Sequence, residues 1–129
     1  MNEQDRKDLV SFRLKRARET YNEVLLHVES ELWNTAVNRL YYACFYAVTA
    51  LLISKEIKTI SHAGTRLMFG LHFVKPGLID KQLGKFYSDI FDLRQSGDYE
   101  DFIEFTKEDL TDLLQPAEDL INQIEKLMP

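Results

Sequence analysis

At 129 residues and 45% hydrophobic, the chain is sized for one domain, residues 1–129, with a single core, and it is too apolar to be disordered. A formal net charge of −5 excludes a protein that grips nucleic acid through bulk positive charge. The charge is uneven, however: residues 1–88 hold 13 Lys/Arg against 9 Asp/Glu, whereas residues 89–129 hold 3 against 12.

The apolar positions predict helices throughout. Leu9, Phe12, Leu14, Ala17, Tyr21, Val24, Leu25 and Val28 recur mostly three or four apart and predict a helix over about 4–30. Ser30 reads as an N-cap for a second helix, about 32–55, that is apolar nearly all the way round. Such a helix belongs at the centre of a bundle or at a subunit interface. A third helix follows over about 61–73, with Ser61 as its N-cap, and Lys75-Pro76-Gly77 stops it. A fourth spans about 80–95 and is expected to end at Ser96-Gly97. The acidic, aromatic connection 98–105 leads to a fifth, opened by a capping box at Thr106 and Asp109. Pro116 inside this last helix implies a kink or a late start. No segment shows strand alternation between turn signals. The fold class is all-α: an up-and-down antiparallel bundle of about five helices.

No self-sufficient catalytic motif stands out. His62 and His72 are ten residues apart, roughly 15 Å along a helix axis, so they cannot share an ion. The five glycines are scattered singly and build no phosphate loop. Cys44, the lone cysteine, reads as an inert core thiol in a reduced, cytoplasmic setting. No metal, no cofactor and no membrane partner is expected: residues 1–8 lack a signal-peptide core, and no apolar run approaches the ~20 residues of a membrane span.

Three polar features remain. Asn38-Arg39 sits in the apolar second helix, with Tyr42 and Tyr46 one and two turns beyond Asn38 on the same face. Buried polar groups there need partners, either to fix helix register or to floor a ligand site. Ser61-His62 opens the third helix, where the local positive potential favours a neutral imidazole. Arg94, in the expected last turn of the fourth helix, is followed by Asp98 and Tyr99. This is either a cap and salt bridge or an anion-binding Arg oriented by Asp98.

Taken together, Ala36 to Ala47, Leu51-Leu52, Ser61-His62, Phe69, Phe73-Val74 and Arg94 with Asp98-Tyr99 resemble the HEPN domain, in its small stand-alone bacterial and archaeal branch. The resemblance runs from about Leu9 to Leu127. It implies a homodimeric bundle, paired with a minimal nucleotidyltransferase in a toxin–antitoxin-like system, with RNA or a nucleotide as ligand. Asn38, Arg39, Tyr42, His62, Arg94, Asp98 and Tyr99 are the binding residues that follow. In the nuclease branch an Arg and a following His from two subunits cleave RNA without metal. Here Tyr99 stands where that His is expected, and Asp101 where the toxin branch tends to have a tyrosine that the partner enzyme modifies. A binding module is therefore the first reading. A ribonuclease toxin with Arg94 and His62 as catalytic residues is the second, and it requires the fold to bring these two together. A purely structural protein is the third.

Overall fold

The computed structural model describes residues 1–99 and 103–128, with the backbone alone for Tyr99. All regular structure among them is helical: α1 (Glu3–Glu29), α2 (Trp33–Ser54), α3 (His62–Phe69), α4 (Lys81–Tyr99) and α5 (Lys107–Lys126), with a π-helical turn, Gly70–Val74, continuing α3. The antiparallel course follows from which residues meet. Arg6 at the start of α1 pairs with Glu56 beyond the end of α2. Arg18 meets Glu125 and Asn122, while Tyr21 meets Glu118, so α1 and α5 run in opposite directions. Asn38 meets Asp98 and Tyr41 stacks on Tyr87, which sets α2 against α4 in the same way. Asp80 and Gln123 join the start of α4 to the end of α5.

The central element is α2. Twelve of its residues, from Ala36 to Leu52, are buried, as its apolar sequence demands. The helix is also long and apolar enough to cross a membrane, which the sequence expectation had not allowed for, but two-thirds of that stretch is packed inside the bundle. Its half-buried stripe is Asn38, Arg39, Tyr42, Phe45 and Tyr46, the run that carries the polar groups.

Local capping signals decide several boundaries. Ser61 accepts a hydrogen bond from the Gly64 N–H and caps α3 as expected. Thr106 and Asp109 form the reciprocal capping box of α5. Ser30, by contrast, is the C-cap of α1, not the N-cap of α2. The chain turns there through Glu31 at φ 57°, and Leu32 precedes α2 without a side-chain cap. Pro116 neither delays α5 nor ends it, since the helix is continuous from Lys107 to Lys126.

The largest correction is at α4, which runs through Ser96-Gly97 to Tyr99 instead of stopping there. Gly97 is in the helix for room, not for a turn: a Cβ at this position would sit 2.6 Å from the Phe105 ring. The returning chain is pressed against α4 and clipped to α2, where Asn34 donates to the Ile103 carbonyl at 3.0 Å and accepts from the Phe105 N–H at 2.8 Å. Because α4 is longer than expected, Arg94 and Asp98 lie within it, an i, i+4 pair facing α2.

Candidate functional site

The site grows from Tyr41, a fully buried side chain at the middle of α2. Its ring is surrounded by Tyr42, Phe45, His62, Tyr87 and Phe91, with centroids 5.2 to 6.1 Å away. These come from α2, the start of α3 and α4, so one aromatic box locks three helices together. The Tyr41 hydroxyl lies 2.7 Å from His62 Nδ1. The imidazole stacks on Phe45 at 4.3 Å and meets Tyr42 edge-on at 5.7 Å.

Arg94 enters the same box from α4. Its guanidinium lies 4.9 Å from the Tyr41 ring centroid and 5.7 Å from that of Tyr42. His62 and Arg94, 32 positions apart in the sequence, therefore share the same two tyrosines. They also sense each other electrically. The His62 pKa is lowered from its ordinary 6.5, first by burial and then by the Arg94 charge. The helix-end potential expected from sequence is not among these causes.

A neutral imidazole has one donor and one acceptor nitrogen. Burial pushes the Tyr41 phenol up to about 12, so it keeps its proton at neutral pH. The phenol is the stronger acid of the two neighbours, and we assign Tyr41 as donor to Nδ1 on that chemistry. The His62 proton then sits on Nε2. In this state the ring offers a hydrogen bond at Nε2 and has no free lone pair to act as a base.

Arg94 is 7% exposed. Its Nη1 donates to Asp98 at 3.3 Å, a long contact, and its Nε is buried with no hydrogen-bond partner among the described residues. Asp98 also accepts from the Asn38 amide, at 3.1 Å and 3.2 Å to its two oxygens. The carboxylate thus bridges α2 and α4 and is shared between two donors. A buried cation with an unfilled donor is costly unless something else satisfies it. Arg39 adds a second guanidinium, 5.4 Å from the Tyr42 centroid, so Tyr42 has a cation on each of two sides of its contacts. Counting Arg39, Arg94, Asp98 and a neutral His62, the cluster carries one net positive charge in a protein whose net charge is −5.

The fold therefore gathers Asn38, Arg39, Tyr42, His62, Arg94 and Asp98 into one cluster. Tyr99 ends α4, but its side chain, like Asp101, lies outside the described residues. Reading the sequence overlooked two contributors. Tyr41 was an unremarked member of the aromatic run, yet it is the residue that binds His62. Asn34 gave no signal at all, because its partners are backbone groups about seventy residues away.

The HEPN domain matches residues 10–127 of the chain. The chain belongs to the HEPN domain family. Among similar proteins, a UPF0332 protein of Thermotoga maritima is 40% identical over 128 residues, covering 99% of this chain and 96% of the relative. Two relatives from Methanocaldococcus jannaschii carry the name "Putative toxin". One is 36% identical over 99 residues, covering 77% of this chain and 67% of the relative. The other is 33% identical over 112 residues, covering 87% and 83%. These are small stand-alone bacterial and archaeal HEPN proteins, as the sequence resemblance had it.

Proposed function

We propose that this HEPN protein is a dimeric, toxin-like RNA-binding module, and that the cluster around Tyr41 holds the phosphate of a bound strand. The observation that carries this reading is Arg94: a buried guanidinium with an unpartnered Nε beside a neutral His62 that offers Nε2–H. Arg39 supplies a second cation, and Asp98, held by Asn38, orients Arg94. A phosphate oxygen suits both kinds of donor, because guanidinium recognition of phosphate is charge-assisted and directional. The names of the two Methanocaldococcus relatives support a toxin-type setting, and with it a minimal nucleotidyltransferase partner.

Isothermal calorimetry with short single-stranded RNA, and separately with nucleotides, tests the reading. Arg94→Gln should weaken RNA binding by about tenfold or more, the value of one lost charge-assisted contact of 1.5–3 kcal/mol. Equal binding by both proteins, or none by either, would sink it. Light scattering tests the dimer: a monomer at micromolar concentration contradicts it.

One observation favours a second reading, a metal-independent ribonuclease: His62 and Arg94 stand on the same two rings. The assigned tautomer suits His62 to proton donation and not to activation of a ribose hydroxyl, so binding comes first. Growth arrest on expression, abolished by His62→Ala and Arg94→Ala alike, would reverse that order.

A further inference from the structure

His62 has a second environment. It lines a cavity of about 350 Å³ between α1, α2 and the loop that leads into α3. That volume falls within the ~300–1,000 Å³ of small-molecule sites. Phe45, Leu52 and Ile57 give it an apolar floor, and Arg13, Lys58 and Ser61 add polar groups beside His62. No Asp or Glu lines it. The acid next to it in sequence, Glu56, is taken up by Arg6 at 2.8 Å. Among the described residues neither Arg13 nor Lys58 is in an ion pair. Arg94 is not part of this cavity.

The cavity and the Arg94 cluster are nonetheless connected along α2. The Tyr42 and Tyr46 rings are 6.2 Å apart, and Tyr46 has the Arg13 guanidinium at 6.0 Å and that of Arg16 at 5.4 Å. Rings and cations thus alternate from Arg94 through Tyr42 and Tyr46 to Arg13. An apolar floor with only cationic charge around it selects an anion that carries a flat apolar body. Alternating cations and rings match a single strand, whose phosphates take the cations and whose bases take the rings.

We propose that this cavity is a second nucleotide subsite for single-stranded RNA, with its phosphate at Arg13 and Lys58 and its base against Phe45. The subsite rests on the RNA-binding reading above and states where the strand runs next to the phosphate held at Arg94. His62 lies at the junction, since it touches both places.

The test is fluorescence anisotropy with a labelled single-stranded oligoribonucleotide over a range of salt concentrations. The double variant Arg13→Ala/Lys58→Ala should bind at least about tenfold more weakly, and its slope of log affinity against log salt should shrink by about 1.4, at roughly 0.7 per phosphate contact on a single strand. Lys15→Ala/Lys85→Ala removes the same charge from exposed positions outside the cavity and should change both quantities much less. Equal losses in the two double variants would overturn the subsite while leaving the Arg94 site standing. No binding by the unaltered protein would overturn both. Arg13→Gln/Lys58→Gln repeats the measurement with the packing stems retained, and thermal melts confirm that each variant is folded.

Discussion

The Tyr41 hydroxyl and His62 Nδ1 are 2.7 Å apart, and this contact joins the centre of the buried helix α2 to the first residue of α3. It fixes the ring's orientation and leaves Nε2 as the nitrogen available to a ligand. Tyr41→Phe keeps the aromatic box and removes only this bond. We expect a loss of about 0.5–1.5 kcal/mol in urea unfolding, the net worth of one hydrogen bond. Nitrogen-15 spectra should show the His62 ring passing from one dominant tautomer to a mixture. An unchanged tautomer ratio would refute the assignment of Tyr41 as donor.

His62 itself should titrate below 6.5, because burial and the Arg94 charge both disfavour imidazolium. Arg94→Gln removes the second cause, so the His62 pKa measured by NMR should rise in that variant. The sign for stability follows. As pH falls through 6.5, the unfolded chain takes up the proton before the native one does, so stability is complete above 6.5 and is lost from there down to the native pKa. His62→Gln should therefore lose less stability than the unaltered protein between neutral and mildly acid pH. A steeper loss in the variant would contradict the direction.

Gly97→Ala sets two effects against each other. Alanine gains about 0.5–1 kcal/mol of helix preference, but its Cβ would meet the Phe105 ring at 2.6 Å, and overpacking costs about 1–3 kcal/mol. The expected outcome is a net loss near 1 kcal/mol in chemical denaturation. Phe105→Leu in the same chain should recover part of it. A stabilised Gly97→Ala protein would mean that the contact is loose.

What the sequence revealed depended on range. The Ser61 cap and the Thr106–Asp109 box were legible because every partner lies within three residues. The Arg94–Asp98 pair was legible from its i, i+4 spacing, but not its burial, which comes from packing against Tyr41 and Tyr42. Gly97 was misread because a helical glycine and a helix-stopping glycine look alike until Phe105 is seen beside it. Ser30 was misread for a similar reason: the residues around it supply no cap hydrogen bond to α2, and the turn is made by Glu31 in a left-handed conformation. The meeting of His62 with Arg94 could not be read locally at all, since it requires α3 and α4 to contact the same face of α2.

The central claim is that RNA is held at the Tyr41 cluster, and histidine NMR tests it most directly. The chain has three histidines, His27, His62 and His72. On titration of single-stranded RNA into protein carrying nitrogen-15 histidine, the His62 ring signals should shift and saturate with the binding curve, Nε2 most of all, while His27 and His72 stay in place. Binding that leaves His62 unmoved would contradict the account.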